Sequence, residues 1–373
     1  MTDFMCNVLI MGKTGSGKSS LLNYLCEKKL AETGAGHAVT GEGLFPYQVT
    51  IKKQQIRFFD SWGIEAGKTD RWIELIKDGL KEHGVEKSME EWFHSVIYCI
   101  QAGGQRIEKL DAEIISRFLK ECYHLTIVLT KADQLSPQAL EKFKEEIYKE
   151  IKLSSGDKAD TIKIIPCCTQ KLQLRSGNSR PFGRDEILSS IIHSWQNTIV
   201  DRIPKHISSK ICKEIDLWAD KEKEKLKEKN IVSGMGIWNK GLYRIILQNG
   251  KKKLSQIQNT ILPGEITEAV ESCKKANLSP VNTENLQVED CTFNSKNLKK
   301  TQVQISELIS QFVGGLLFFP LLVQLISAVT KKGQENERQK IETFIDELAD
   351  QIKEKIISLE NDIKKIIQQA LGF

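Results

Sequence analysis

Apolar and polar residues follow two different patterns along the chain, and the change comes near residue 204. From residue 4 to about 200, short apolar runs are separated by stretches with helical spacing. The runs read FMCNVLIM, FPYQVTI, QIRFFDS, SVIYCIQA, LTIVLT and IKIIPCC. Such alternation is typical of an α/β domain with a mostly parallel sheet and flanking helices. The pattern predicts this domain over residues 1–203, with helices at 107–121, 137–151 and 184–203.

The second part of the chain carries only helical spacing. Residues 205–229 are rich in lysine and glutamate and have apolar residues three and four positions apart, which predicts an amphipathic helix. A further helix is predicted over 237–262, and the polar stretch 277–297 predicts a loop. Residues 204–373 are therefore interpreted as an all-α helical domain.

The last helical stretch, from about residue 333 to 371, has a long apolar seam. Its positions are Ile341, Ile345, Leu348, Ile352, Ile356, Leu359, Ile363, Ile366 and Ala370. An uninterrupted helix of this length spans roughly 50 Å at 1.5 Å per residue. The seam requires long neighbours, which are either other helices of the same chain or a second copy.

Residues 308–329, LISQFVGGLLFFPLLVQLISAV, form the most apolar segment of the chain. About 20 apolar residues are needed for a helix to cross a bilayer, so this segment is a borderline span. Lysines on both sides suit a membrane position but leave the orientation open. The segment is either a membrane-associated helix or hairpin, or a buried helix of the bundle.

A cluster of cations lies in the helical part, within NKGLYRIILQNGKKK at 239–253. The cluster comprises Lys240, Arg244, Lys251, Lys252 and Lys253. Without a neighbouring acidic residue, such a patch can meet anionic lipid or RNA, although a solvated helix face is the simpler interpretation.

Composition narrows the class of protein only slightly. The chain has 373 residues, 54 Lys plus Arg, and 49 Asp plus Glu, an excess too small to indicate nucleic-acid binding from net charge. Its nine cysteines show no C-x-x-C spacing, which argues against a zinc site and against a disulfide framework. These features, with no pattern of a cleavable signal peptide at the start, favour a reduced, cytoplasmic location.

The first candidate functional motif follows the first apolar run directly, in MGKTGSGKSS. It contains G-x-x-x-x-G-K-[ST], and its predicted phosphate-binding residues are Gly12, Lys13, Thr14, Gly15, Ser16, Gly17, Lys18, Ser19 and Ser20. Backbone amides at the start of a helix surround phosphate groups, and glycines allow close approach. Lys18 is predicted to reach the β and γ oxygens, and the Ser19 hydroxyl is predicted to bind Mg²⁺.

A second turn, D-x-x-G, follows the third apolar run in RFFDSWGI. Asp60 is predicted to take part in the magnesium shell, and the Gly63 amide is predicted to sense a γ-phosphate. A turn of this kind responds to nucleotide hydrolysis, so Lys18 and Gly63 are assigned as candidate catalytic residues.

The fifth run ends in LTKADQL, with Thr130, Lys131 and Asp133 in the pattern [NT]-K-x-D. This pattern resembles the guanine-reading motif of the translation-factor-related P-loop GTPases. A carboxylate such as Asp133 accepts hydrogen bonds from guanine N1–H and N2–H, whereas adenine offers no matching pair of donors. Lys131 is predicted to lie along the base plane. The resemblance implies GTP or GDP with Mg²⁺.

The same resemblance implies further site residues. In ETGAGHAVTGEGLF, Thr40 corresponds to the threonine that binds Mg²⁺ and the γ-phosphate, with Thr33 as the alternative. The resemblance makes Thr40 both a metal ligand and a catalytic residue. The stretch PCCTQK departs from the usual Ser-Ala-Lys pattern, and its Cys168 and Thr169 are expected to offer backbone groups to guanine.

Ile64 stands where Ras-like members carry the glutamine that positions the attacking water. Slow GTP hydrolysis is therefore predicted, with water oriented by the backbone, by His37 or by a partner. Arg71 and Arg106 are candidates for stabilising charge in the reaction, but a solvated surface position is the favoured interpretation of both. Trp62, which follows Asp60 in Asp-Ser-Trp-Gly, either packs under this turn or faces a partner.

The wording GKTGSGKS is similar to that of septin-related, chloroplast-translocon and immune-associated GTPases, which implies pairing of two copies across the nucleotide. A G domain followed by helices and an apolar segment also resembles the dynamin-like and immunity-related GTPases. The favoured function is a GTPase that switches a helical domain at a membrane or in self-assembly. The alternatives are an Era-like GTPase bound to RNA or the ribosome, and a GTP-binding assembly module with negligible turnover.

Overall fold

The fold is taken from a computed structural model of the chain. The structure describes residues 5–31, 43–51, 54–64, 69–170, 173–174, 177–178, 180–227, 236–275 and 337–371. By internal contacts the chain divides into two compact units, Met1–Arg202 and Ile203–Phe373.

The first unit is built on a six-stranded sheet with the order β2-β3-β1-β4-β5-β6. The strands are β1 Cys6–Gly12, β2 Leu44–Ile51, β3 Gln54–Ser61, β4 Ser95–Gln101, β5 Leu125–Thr130 and β6 Lys163–Pro166. Only the pair β2 and β3 is antiparallel, and the other four pairs are parallel. Each of the six apolar runs is therefore a strand, which confirms the predicted α/β domain with a mostly parallel sheet.

Burial along the strands follows their positions in the sheet. Every residue of β1 and β5 is buried, as expected for inner parallel strands that are covered on both faces. The edge strand β2 instead alternates between exposed and half-buried positions. A separate hairpin pairs β7 Gln173–Leu174 with β8 Gly177–Asn178.

The helices of the first unit are α1 Lys18–Cys26, α2 Thr69–Glu82, α3 Lys109–Lys120, α4 Pro137–Ser155 and the start of α5 Arg184–Lys227. The start of α4 is encoded locally. The Ser136 side chain accepts a hydrogen bond from the Ala139 amide at 3.3 Å, and Pro137 occupies the first turn.

The register of the parallel strands brings the predicted functional motifs to one edge of the sheet. Ile10 of β1 pairs with Asp60 of β3, and Gly12 pairs with Cys99 of β4. The loop after β1 and the turn after β3 therefore leave the sheet at the same edge, as does the turn after β5. Ligands of open α/β sheets bind at the carboxyl ends of the strands.

Pro204 does not separate two helices, as the sequence pattern had suggested. Helix α5 continues through it as a single element of 44 residues, Arg184–Lys227. Proline removes one backbone donor, yet Ile203 and Ile207 on either side are 0% exposed. Burial of the apolar face on both sides offsets the lost hydrogen bond and keeps the helix continuous.

The second unit is helical throughout its described residues, as predicted. It contains the rest of α5, α6 Gly236–Gln256, a π-helical turn Ile257–Ile261, α7 Leu262–Lys275, α8 Glu337–Ser358 and α9 Glu360–Leu371. The helices differ from the predicted ones at two places. The helix expected to end at 262 continues to Lys275 through the π turn, and the last helix is interrupted at Leu359, whose amide donates to the Ile356 carbonyl at 3.1 Å.

The apolar seam of α8 and α9 is covered within the chain. All nine of its apolar positions are at most 7% exposed. Phe344 of α8 packs edge-on against Tyr243 of α6, with ring centroids 5.0 Å apart. Lys353 of α8 donates to Asp216 of α5 at 2.8 Å. The neighbours that the seam requires are thus helices of the same unit.

The apolar segment 308–329 and the polar stretch 277–297 lie outside the described residues. Among the helices that are described, none combines the length and the apolar character needed to cross a bilayer.

His94, which directly precedes β4, gives the first unit a predictable pH dependence. It is completely buried, its Nδ1 accepts from the Asn7 amide at 2.9 Å, and its Nε2 donates to the Met89 carbonyl at 2.8 Å. Burial is the main cause that lowers the pKa of this imidazole to about 3. The folded chain therefore holds His94 neutral where the unfolded chain binds a proton.

We expect the free energy of unfolding to fall as pH decreases below 6.5, by about 1.4 kcal/mol per pH unit for this one group. Urea unfolding of the full chain between pH 7 and pH 4.5 measures this slope. The control is His94→Gln, which keeps a donor and an acceptor but does not titrate. An equal slope for both proteins would show that His94 does not contribute.

Candidate nucleotide-binding site

The loop between β1 and α1 has the backbone of a phosphate-binding loop. Gly12 and Gly17 have φ angles of 141° and 91°, which favour glycine. A Cβ at Gly12 would also lie 2.4 Å from the Cys99 carbonyl oxygen. Helix α1 begins at Lys18, directly after Gly17, so the loop amides meet the positive end of the helix dipole.

The Lys18 side chain is held inside this loop. Its Nζ donates to the Gly12 carbonyl at 3.2 Å and to the Lys13 carbonyl at 3.1 Å, and the residue is 6% exposed. Burial lowers the pKa of the Lys18 ammonium, while the charge of Asp60 acts in the opposite direction. The loop therefore holds a buried cation in position for an anionic ligand.

Ser19 and Asp60 form the predicted metal pair. The Ser19 hydroxyl donates to Asp60 Oδ2 at 2.8 Å, and Asp60 is 0% exposed. Its Oδ1 is buried without a hydrogen-bond partner within the chain. Burial raises the pKa of the Asp60 carboxyl, and the Ser19 hydrogen bond and the Lys18 charge act against this. An unpaired buried carboxylate oxygen beside a hydroxyl fits Mg²⁺, which prefers oxygen ligands.

The turn D-x-x-G is joined directly to the phosphate-binding loop. The Thr14 amide donates to the Ile64 carbonyl at 3.1 Å, and the Ile64 amide donates to the Gly12 carbonyl at 3.4 Å. A Cβ at Gly63 would lie 2.7 Å from the Cα of Thr14, so only glycine fits there. The Ile64 side chain is 6% exposed and belongs to the apolar core of the unit.

Trp62 packs inside the protein rather than facing solvent, being 2% exposed. Its amide donates to the Gly43 carbonyl at 2.9 Å, and its carbonyl accepts from the Trp72 indole at 2.8 Å. The turn is thereby tied to α2 and to the residue that precedes β2. Of the two interpretations of Trp62, the structure shows packing under the turn.

The motif Thr130 to Asp133 is linked to the phosphate-binding loop. The Thr130 hydroxyl donates to the Ser16 carbonyl at 2.6 Å. Lys131 has a φ of 54° and an exposed side chain. Both carboxylate oxygens of Asp133 are buried and lack a hydrogen-bond partner within the chain. An unpaired buried carboxylate is costly, so these two oxygens are available to a ligand that carries hydrogen-bond donors.

Cys168 and Thr169, which follow β6, are the two candidates for backbone contact with guanine. The Cys168 amide donates to the Phe182 carbonyl at 3.2 Å, and the Phe182 amide donates to the Cys168 carbonyl at 3.0 Å. Since both backbone groups of Cys168 are engaged, the expected contact of Cys168 with guanine requires this pair to open. Thr169 is half-buried and stays a candidate.

The remaining predicted residues fall into two groups. Thr40, Thr33 and His37 lie outside the described residues. Ser20 is half-buried in the first turn of α1, whereas Arg71 and Arg106 are exposed.

Sequence reasoning missed the partners of Lys13. Its Nζ lies 2.9 Å from Asp111 Oδ2 and 2.9 Å from Glu108 Oε1, at the start of α3. The spacing E-x-x-D could have indicated a helix start, because Glu108 and Asp111 form a capping box. Nothing in the local sequence indicates that a lysine 98 residues away completes it.

Arg184 was missed as well. It stands in the first turn of α5 and donates through Nη2 to the Leu25 carbonyl at 2.7 Å and through Nε to the Tyr24 carbonyl at 3.2 Å. A cation at these last carbonyls satisfies the end of α1 and interacts favourably with its dipole.

Comparison with known proteins gives a family match for part of the chain. Residues 7–131 match the family model described as a 50S ribosome-binding GTPase. The matched range includes the phosphate-binding loop, the D-x-x-G turn, and the first two residues of the Thr130–Asp133 motif.

Curated relatives include septins. Septin-14 of Mus musculus is 26% identical over 169 residues, which cover 40% of this chain and 38% of that protein. Neuronal-specific septin-3 of Homo sapiens is 23% identical over 176 residues, which cover 41% of this chain and 49% of that protein. The chain thus spans about half the length, or less, of the curated relatives it matches.

Solved structures with similarity to the chain include two GDP complexes. Toc33 from Arabidopsis thaliana in complex with GDP and Mg²⁺ is 20% identical, with a TM-score of 0.39 over 50% of this chain and 83% of that one. An Era variant from Aquifex aeolicus bound to GDP and AlF4⁻ is 20% identical, with a TM-score of 0.38 over 54% of this chain and 67% of that one.

Proposed function

We propose that the first unit, which contains a P-loop GTPase domain, binds GTP with Mg²⁺ and hydrolyses it to GDP and phosphate. The observation that carries the choice of guanine nucleotide is the Asp133 carboxylate, whose two oxygens are buried and have no hydrogen-bond partner within the chain. Guanine offers N1–H and N2–H side by side and satisfies both oxygens. Adenine offers no such pair, so ATP would leave the carboxylate unpaired.

In this proposal, several residues of the chain have separate roles at the phosphate groups of the nucleotide. The Lys18 ammonium neutralises charge on the β and γ oxygens, and the loop amides from Gly15 to Ser19 donate to them. Ser19 and Asp60 would hold Mg²⁺, and the bound metal would neutralise charge that develops on the phosphate oxygens. The Gly63 amide reports the γ-phosphate, because the turn that carries it is hydrogen bonded to the loop.

Hydrolysis by the isolated chain is slow in this account. Ile64 replaces the glutamine that orients water in Ras-like members, and its side chain is buried in the core. The water is then oriented by the backbone, by a group outside the described residues such as Thr40 or His37, or by a partner such as a second copy. Turnover per molecule that rises with protein concentration would support activation by pairing, and constant turnover would argue against it.

The substitution Ile64→Gln tests the position of this residue. We expect a rate of GTP hydrolysis within about threefold of wild type, because the backbone of residue 64 is fixed to the loop and its side chain points into the core. Burial of an amide there also lowers stability by about 1–3 kcal/mol. Phosphate release and thermal unfolding measure the two effects, with Ile64→Val as the control. A tenfold faster reaction would contradict this geometry.

We further propose that the nucleotide state acts on the helical unit, and that this unit associates with an anionic membrane surface or with itself. Helix α5, Arg184–Lys227, includes residues of both units. Helix α6 carries exposed Arg244, Lys251 and Lys252 and no acidic residue. Its Lys253 is engaged with Glu214 at 3.0 Å.

Co-sedimentation of the full chain with anionic and neutral vesicles, in GTP, GDP and no nucleotide, tests the membrane proposal. Binding to anionic vesicles that depends on nucleotide would support it. Absence of vesicle binding in every state would contradict it, and salt-sensitive RNA binding would instead favour the Era-like alternative.

The primary proposal is tested by equilibrium binding of fluorescent GDP to the full chain, with unlabelled GTP, GDP, ATP and xanthosine triphosphate as competitors. Competition by GTP and GDP, and weak competition by the other two, is expected. Equal competition by ATP and GTP would overturn the guanine assignment.

A further inference from the structure

We infer that Lys13 is a positioning residue of the nucleotide site, which joins the phosphate-binding loop to the start of α3 and does not contact the phosphates. The inference rests on the proposed function. The sequence motif alone predicts that Lys13 binds phosphate, and this inference assigns the Lys13 side chain a different role.

The Lys13 ammonium is already bound by two carboxylates. Its Nζ is 2.9 Å from Asp111 Oδ2 and 2.9 Å from Glu108 Oε1. The Lys13 hydrogen bond is the main cause that lowers the pKa of the Glu108 carboxyl. Contact with both carboxylates directs this side chain toward α3, while Lys18 alone lies against the loop carbonyls.

Of the two carboxylates that contact Lys13, Asp111 is the buried one, being only 3% exposed. Its Oδ1 accepts from the Tyr98 hydroxyl at 2.7 Å, and its Oδ2 accepts from the Glu108 amide at 3.0 Å. Tyr98, on β4, is itself 0% exposed. Lys13 supplies the positive charge at this buried carboxylate, and a lysine drawn away to a phosphate would leave Asp111 without it.

The segment that receives Lys13 also approaches the residue that follows the Thr130–Asp133 motif. Between β4 and α3 the chain forms a short helical turn, Ala102–Gly104. A Cβ at Gly103 would lie 2.4 Å from the Gln134 side-chain oxygen, next to Asp133. The connection between β4 and α3 therefore lies against Gln134 at one end and holds Lys13 of the phosphate-binding loop at the other. Lys13 thereby fixes the distance between the two halves of the nucleotide site.

A double-mutant cycle on the full chain tests this inference, with Lys13→Met, Asp111→Asn and the combined variant. The matched control is Lys109→Met, because the Lys109 side chain is 92% exposed at the start of the same helix. Two readouts are used: the unfolding midpoint without nucleotide, and the affinities for GDP and for a non-hydrolysable GTP analogue.

We expect each single substitution to lower the unfolding midpoint, and the combined variant to unfold no earlier than the less stable single variant. We also expect Lys13→Met to weaken GDP and the GTP analogue by the same factor, about tenfold, because the loop is misplaced as a whole. Lys109→Met should change neither readout.

Additive midpoints in the nucleotide-free protein would overturn the inference. So would a loss of affinity for the GTP analogue that exceeds the loss for GDP by about tenfold, since this would place Lys13 at the γ-phosphate. If Lys13→Met does not fold, the combined variant, which lacks both charges, gives the same comparison of affinities. A wild-type chain that binds no guanine nucleotide would overturn the proposed function, and the nucleotide-free cycle would still decide whether Lys13 is committed to Asp111.

Discussion

Replacing Asp133 by asparagine is expected to transfer the preference of the site from guanine to xanthine nucleotides. The carboxylate accepts two hydrogen bonds from guanine in this account, each contributing about 1.5–3 kcal/mol. Their loss weakens GTP and GDP by roughly 10²- to 10⁴-fold. Xanthine has an oxygen in place of the 2-amino group, to which the asparagine amide donates. Competition binding with guanosine and xanthosine diphosphates measures the change.

Stability provides the control for this substitution. The Asp133 oxygens have no hydrogen-bond partner within the chain, so the nucleotide-free Asp133→Asn protein should unfold at no lower temperature than wild type. Asp157→Asn, at an exposed aspartate of the same unit, should leave nucleotide preference unchanged. A variant at Asp133 that still prefers guanine would remove the basis for the base assignment.

The substitution Lys18→Ala should have the second largest effect. It removes the buried cation that is proposed to face the phosphates, and truncation of one partner of a buried charge pair costs about 2–5 kcal/mol. The affinities for GDP and GTP should therefore fall by roughly 30- to 5,000-fold. Titration of the full chain with fluorescent GDP, followed by displacement with GTP, measures both losses.

Lys29→Ala is the matched control, because Lys29 is an exposed lysine just beyond α1. Its affinity for GDP should equal that of wild type. Binding of GDP to Lys18→Ala within twofold of wild type would show that the phosphates do not lie over this loop.

Local sequence was sufficient to predict the sheet and the motifs at its edge. Buried parallel strands are continuous apolar runs, so β1, β4 and β5 could be predicted without knowledge of their neighbours. The glycines of the phosphate-binding loop indicate from the sequence alone where the backbone adopts positive φ angles. The meeting of Ser19 with Asp60 follows from two motifs at the ends of adjacent parallel strands.

Contacts between distant residues could not be predicted in this way. The partners of Lys13 depend on how α3 packs beside the loop, and the engagement of Cys168 depends on Phe182. Neither the continuity of α5 at Pro204 nor the interruption at Leu359 follows from local propensity, which disfavours proline inside a helix and favours leucine there. Most helical stability in proteins comes from packing of the apolar face rather than from propensity.

The central claim is that Lys18, Ser19, Asp60 and Asp133 belong to one site that hydrolyses GTP with Mg²⁺. Phosphate release by the full chain, under single-turnover conditions, tests it most directly when GTP and ATP are compared with Mg²⁺ and with a chelator. We predict slow release from GTP that requires Mg²⁺ and no release from ATP. Release from ATP at the rate of GTP, or no release from GTP at any protein concentration, would contradict the account.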